Sequence, residues 1–235
     1  PFVKAGLPGV FVTPDVTPYK KRKVRILNGA HTAFVPGSWV AGFDIVRDCM
    51  HDETIRGFMN TMLYNEVIPT LAADLDVEDC KAFAAAVENR FDNPFIDHAL
   101  LSICLNSTAK WRARDLPTLK DYVAETGNLP KCLSTSLATL IAFYTQELVA
   151  REGDGLHLRR ADGTEYTAQD DAFVLDFYAA HAGVDDAELV HDVLANEQMW
   201  GEDLTQIAGL EEFVVNALAV VRAEGVKQAF ANAQA

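Results

Sequence analysis

The chain has 235 residues, 49% hydrophobic and 23% charged, a globular composition with material for one large core. Lys and Arg number 20 against 34 Asp and Glu, a formal charge of −14, and that balance opposes nucleic-acid phosphates as a partner. No apolar run approaches the roughly 18–20 residues of a membrane-spanning helix; Phe213 to Val221 is short and interrupted by Asn216. Cys49, Cys80, Cys104 and Cys132 form no CxxC pair and sit in apolar surroundings. They predict buried free thiols in a reducing, cytoplasmic compartment rather than a zinc or redox site.

Pro1-Phe2 begins no signal-peptide pattern, and Gly6, Pro8, Gly9 and Pro14 predict an irregular connector over residues 1–16, followed by a helical domain over 17–235. Thr17-Pro18 marks a helix start, with Pro36-Gly37 expected to stop that helix beyond Phe34. Ile55, Phe58, Met59, Met62 and Leu63 describe one apolar helix face, and Pro69 ends that helix. Asp76 is expected to cap a helix to Phe91, and Asn93-Pro94 to open another through Ile96, Leu100, Ile103 and Cys104. Leu119 to Ala124 and Pro130 to Ala150 read as two more, separated by Gly127-Asn128.

Beyond Arg151 the pattern changes. Leu156–Arg159 and Glu165–Thr167 flank Ala161-Asp162-Gly163-Thr164, a hairpin signal. Helical periodicity resumes at Gln169, with a capping-box-like start at Asp185 and Glu188 and a closing helix from Leu210 to Phe230. The expected fold is mainly α: a multi-helix bundle-like domain with one small β-hairpin.

The densest polar feature is Lys20-Lys21-Arg22-Lys23-Val24-Arg25, followed by Ile26-Leu27-Asn28-Gly29-Ala30-His31. Five cations in six positions suit a nuclear-localisation or phosphate-binding patch, or an ordinary solvated helix face. At about 100° per residue, Lys23, Asn28 and His31 fall near 0°, 140° and 80°, so His31 lies between the other two and all three reach one cleft. Lysine, carboxamide and imidazole together suit proton transfer at an alcohol or carbonyl carbon. A lysine crowded by cations and partly desolvated becomes a general base near neutral pH. The Asn28 amide can hold a developing alkoxide, with His31 orienting the substrate oxygen.

Lys23-x-x-x-x-Asn28-x-x-His31, within Lys-Val-Arg-Ile-Leu-Asn-Gly-Ala-His, resembles the catalytic signature of the polyol-specific long-chain dehydrogenases, the mannitol dehydrogenase family. Thr17-Pro-Tyr, Tyr64–Leu71, Arg90-Phe-Asp-Asn-Pro-Phe-Ile96, Leu105–Lys110 and Trp200–Leu204 support it along most of the chain. The resemblance implies that Lys23 is the general acid/base and that Asn28 and His31 polarise and place the reacting oxygen. It also implies substrate contacts from Lys110 and Arg90. Eight residues before Lys110 stands Ser102, where mannitol-type enzymes tend to carry arginine; this departure counts against a neutral polyol, while the fuller match within the family implies a sugar-acid substrate. Lys110, Arg112 and Arg114 are candidates, by charge alone, for binding its carboxylate. Arg90 equally fits a structural ion pair, and Asn93 a helix cap.

The family joins a Rossmann-type NAD domain to a helical substrate domain. This sequence has no G-x-G-x-x-G after a strand, and Gly153-Asp-Gly155 reads as a turn. The resemblance therefore implies the C-terminal substrate domain of an NAD-dependent oxidoreductase, with NAD bound mainly by an N-terminal domain outside the chain and little activity from the chain alone. The alternatives are a dehydrogenase of the same family acting on fructuronate or a neutral polyol, and a helical interaction module docking an acidic partner through its basic helix. Metal is not expected: His51-Asp52-Glu53 point apart, and His181 and His191 have no partners in ligand register. Ser134-Thr135-Ser136 lack a nucleophile-elbow pattern.

Overall fold

The computed structural model describes residues 12–235, so most of the connector expected over 1–16 lies outside the described residues. Helix α1 (Thr17–Arg22) begins with the Thr17 amide bonded to the Asp15 carboxylate, 2.8 Å. The capping oxygen therefore comes from Asp15, not from Thr17 as the sequence suggested. A π-helical segment, Lys23–Asn28, continues into α2 (Gly29–Val40) without a break. Pro36 does not stop the helix at Phe34. It sits inside α2, where nearly every side chain from Gly29 to Trp39 is buried, and this packing offsets the hydrogen bond that proline forgoes.

Next come α3 (Val46–His51) and α4 (Glu53–Thr61), the latter capped by Asp52, whose carboxylate accepts from the amides of Thr54 and Ile55. The apolar face Ile55, Phe58, Met59, Met62 and Leu63 is wholly buried, as its spacing predicts. A second π segment, Met62–Val67, lies between α4 and a short 3₁₀ turn at Pro69–Leu71. Helix α5 (Val77–Phe91) has Asp76 as its cap, as expected.

The helix expected from Asn93 does not form. The Asn93 carboxamide accepts the Phe95 amide at 2.9 Å in a turn, Phe95 and Ile96 face solvent, and only α6 (Leu100–Ile103) is helical. Ile45 bridges to Ala99, tying this extended loop to the start of α3. Helices α7 (Ser107–Arg114) and α8 (Leu116–Thr126) follow.

Helix α9 (Lys131–Tyr144) is the axis of the core: Cys132 through Tyr144 are all buried. A helix apolar on every side must be surrounded. It packs against α2, α13 (Leu210–Glu224) and α14 (Val226–Gln234). Ser136 and Thr139 donate to carbonyls one turn back on the same helix, and the Ser136 hydroxyl also accepts from the Trp111 indole at 3.0 Å.

The helix expected to continue to Ala150 ends at Tyr144, and residues 147–152 pair instead as β1 (Glu147–Glu152). The expected hairpin forms from β2 (Gly155–Arg159) and β3 (Glu165–Ala168), in register Leu158 to Tyr166, so the antiparallel sheet has three strands in order β1-β2-β3. Leu156, Leu158, Tyr166 and Ala168 face the core. The remaining helices are α10 (Ala172–Ala180), α11 (Asp186–Leu194, capped by Asp185) and the short α12 (Glu197–Trp200). The single closing helix expected to Phe230 is two, α13 and α14, because Gly225 adopts φ +90° between them, which no helix accommodates. All four cysteines are free and buried. No helix among the described residues is long and apolar enough to cross a membrane.

Candidate active site

A cleft of about 620 Å³ opens beside the first π segment. Lys23, Asn28 and His31 line one wall, Arg90 and Phe91 from the end of α5 a second, and Ser102, Lys110 and Arg114 from α6 and α7 a third; His98 closes the loop side. Lys23, Asn28, His31, Arg90, Lys110 and Arg114 are thus brought to one cavity, whereas Arg112 is not.

The π segment brings Lys23 and Asn28 closer in phase than the regular helix assumed from their spacing. Its hydrogen bonds run from residue i to i+5, so the Gly29 amide reaches the Val24 carbonyl. Five residues then make about one turn, which moves Asn28 toward the Lys23 side; a regular α-helix would leave them about 140° apart. Gly29 follows for a steric reason. A β-carbon there would lie 2.7 Å from the Asp115 carboxylate, so only glycine lets the buried start of α8 approach this backbone.

His31 is held as a flat plate. Its ring stacks on Phe91 at 3.9 Å with 14° between planes, and His98 meets it edge-on at 5.5 Å. Burial, with His98, Arg114 and Lys110 nearby, pushes its pKa down to about 3, so His31 is a neutral imidazole at ordinary pH. Its Nε2 and the Asn28 Oδ1 are both buried without a hydrogen-bond partner among the described residues. Buried polar atoms left open at a cavity wall are groups that a ligand can satisfy.

The cations divide into two sets. Lys21 pairs with Asp74, Arg22 lies 4.7 Å over the Phe83 ring, and Arg25 is buried against Thr118 and Asp121. The basic run is thus dispersed rather than a single patch. Lys23 is exposed, with no hydrogen-bond or ion-pair partner among the described residues, so the partial desolvation expected from its neighbours is not supplied by them. Arg90 also makes no ion pair among the described residues, so the structural role considered for it is not seen. Lys110 donates to the Ile103 carbonyl at 2.8 Å, and Arg114 Nη1 donates to Thr32 Oγ1 at 2.9 Å and to the Asn28 carbonyl at 3.4 Å. Desolvation lowers the pKa of both. Arg112, the third candidate by charge, turns away and lies against Gly201.

Residues 15–222 match the model of the mannitol dehydrogenase C-terminal domain. The chain belongs to that family. Among mannitol dehydrogenase relatives, altronate oxidoreductase of Escherichia coli K12 is 42% identical over 226 residues, covering 94% of this chain and 44% of that protein; the Shigella flexneri altronate oxidoreductase has the same values. The chain thus spans less than half the length of these relatives. Two solved structures share the fold. Pseudomonas fluorescens mannitol 2-dehydrogenase, in a ternary complex with NAD and D-mannitol, has a TM-score of 0.79 at 22% identity, over 96% of this chain and 42% of its own. A substrate-free D-sorbitol dehydrogenase gives 0.76 at 19%, over 94% and 42%.

Against the mannitol dehydrogenase signature read from the sequence, His98 is a cleft residue that was missed. His98 sits in the segment expected to be helical, and nothing in its neighbours marks it. Arg114 could be singled out only by charge; its spacing of four from Lys110 on α7 is the signal that puts both on one face. No group of three or more His, Cys, Asp or Glu placed to hold a metal occurs among the described residues.

Proposed function

We propose that residues 17–235 form the substrate domain of an NAD-dependent reductase that interconverts D-tagaturonate and D-altronate in hexuronate catabolism. One observation carries the choice of a sugar acid. In a chain with 34 acidic and 20 basic residues, the cleft that holds Lys23, Asn28 and His31 is lined by Lys23, Arg90, Lys110 and Arg114 and by no carboxylate among the described residues. Such a wall favours an anionic substrate. The identity to altronate oxidoreductases and Ser102 at the cleft point the same way.

The orphaned atoms of Asn28 and His31 fit a hydroxyl or carbonyl of a polyol chain, whereas the sheet among the described residues is a small antiparallel one, unlike the parallel sheet of a dinucleotide-binding domain. Less than half of each relative's length is represented by this chain, which supports a nucleotide-binding part elsewhere in the polypeptide. When bound, NAD supplies or accepts the hydride. Lys23 gives a proton to the carbonyl oxygen during reduction and takes it back from the hydroxyl during oxidation. Asn28 and the neutral His31 fix that oxygen beside Lys23 Nζ. A covering domain supplies the dryness that Lys23 lacks here. The substrate is a small molecule, and neither nucleic acid nor membrane takes part.

The test is NADH oxidation by the complete polypeptide with tagaturonate, fructuronate and fructose at equal concentration. Preference for tagaturonate is expected. Preference for fructuronate moves the substrate within the acids, and preference for fructose overturns the sugar-acid reading.

A further inference from the structure

Arg114 differs from most arginines in this chain. Arg25, Arg47, Arg151, Arg159, Arg160 and Arg222 each have a carboxylate within 4.0 Å. Arg114 is half-buried and has none among the described residues; it spends Nη1 on a hydroxyl and a carbonyl, while its Nε and Nη2 make no hydrogen bond among them. Arg114 carries a full charge on a planar fork matched to a carboxylate. Leaving part of that fork unmatched and partly out of water is costly unless an anion completes it.

Three surroundings direct the open donors to the cleft. Thr32 Oγ1 accepts from Arg114 and donates to the Asn28 carbonyl at 2.9 Å, so the side chain is braced on the helix that carries Asn28 and His31. Asp115, the adjacent acid, is buried against Gly29; Arg114 feels its charge but lies beyond 4.0 Å of its carboxylate, so the two form no ion pair. Lys110, one turn earlier on α7, presents a second cation to the same space and is likewise held only by a carbonyl. Arg112 and Arg90 do not share this bracing: the first faces away, and the second is exposed at the rim.

We infer that Arg114, braced by Thr32 and assisted by Lys110, is the specificity-determining residue that grips the substrate's carboxylate and separates sugar acids from neutral polyols. This rests on the sugar-acid reading above. The bracing fixes the grip relative to Asn28 and His31, so a bound carboxylate sets which carbon reaches Lys23.

The test compares wild type, Arg114→Met and Arg114→Lys in the complete enzyme, with tagaturonate and with the neutral ketose D-tagatose as substrates. Arg114→Met is expected to raise KM for tagaturonate by about 10²-fold with a smaller change in kcat, as expected for loss of one partner of a hydrogen-bonded charge pair. The kcat/KM for D-tagatose is expected to fall by a clearly smaller factor than that for tagaturonate, and Arg114→Lys recovers part of the acid's KM because the charge returns without the fork. An equal loss with both substrates means that Arg114 only props Asn28 and Thr32, and overturns the proposal; so does an unchanged KM for the acid. Calorimetric binding of D-altronate to the same proteins separates this from the reaction itself. Binding that Arg114→Met abolishes, in a wild type that does not reduce tagaturonate, sinks the proposed reaction and keeps the anion grip. Failure of wild type to bind D-altronate sinks the grip.

Discussion

The hairpin and the cleft are both rich in cations, and they treat them in opposite ways. On the sheet, Arg159 is clasped by Glu147 and Glu165, each at 2.7 Å, Arg151 is held by Asp176, and Arg160 lies 4.2 Å over Trp39 with Asp162 beside it. In the cleft, Lys23 and Arg90 have no partner among the described residues, and Lys110 and Arg114 are held by neutral oxygens. The hairpin's charges complete one another and leave nothing for a ligand. The cleft's charges have no carboxylate partner among the described residues and stay open to a ligand. Counting basic residues alone would not separate the two regions.

The sharpest way to break this contrast is Lys23→Ala in the complete enzyme. Loss of a general acid/base is expected to lower kcat by about 10²–10⁴-fold, with NADH affinity unchanged by fluorescence titration. Near-normal turnover would remove Lys23 from the chemistry. Gly29→Ala is expected to act next most strongly, because its new β-carbon meets the Asp115 carboxylate at 2.7 Å. The strain should cost about 1–3 kcal/mol in urea unfolding and lower turnover by displacing Asn28. Asp115→Ser on the Gly29→Ala background makes room and should return part of both. No recovery would mean that the contact does not set the helix position.

Much of the fold was legible because its signals are local. The face from Ile55 to Leu63, the cap at Asp76 and the turn at Asp162-Gly163 each need only neighbours in sequence. The errors arose where distant packing decides. Pro36 stays helical because α2 is enclosed by other helices, and residues 147–150 leave the helix because β2 offers them a partner. Residues 93–98 give up a favourable helix start for a bridge to Ile45. At the site, the triad could be read from spacing, yet the phase of Lys23 and Asn28 depends on a π segment that no local residue announces. Arg114 could be found by charge, but its lack of a carboxylate partner is visible only after folding.

A smaller, pH-dependent effect tests the buried acid beneath the cleft's helices. Glu66, in the second π segment, accepts the amides of Cys132 and Leu133 at 2.7 and 2.9 Å and so caps the core helix α9. Burial nevertheless pushes its pKa up to about 7, winning over those bonds. A folded pKa above the unfolded carboxylate value means that the folded state binds the extra proton. Glu66 therefore stabilises most below about pH 4.5, and that contribution is lost as pH rises through about 7. Glu66→Gln should flatten the stability profile between these limits, removing a change on the order of 3 kcal/mol. An identical slope in wild type and variant would assign the pH dependence to other groups.

The smallest effect is expected on the hairpin. Arg159→Gln removes a guanidinium that is half-exposed and serves only Glu147 and Glu165, so solvent and counterions replace most of what is lost. Thermal midpoint and turnover should both stay within experimental scatter, and added salt should change neither variant nor wild type differentially. The comparison with Arg114→Met is the informative one, since both remove one arginine's positive charge from a protein of the same strong negative charge. If acid-substrate KM rose equally in both, the effect would come from the overall field of the molecule. A rise confined to Arg114→Met places it in the cleft, where an arginine without a carboxylate waits for the substrate's own.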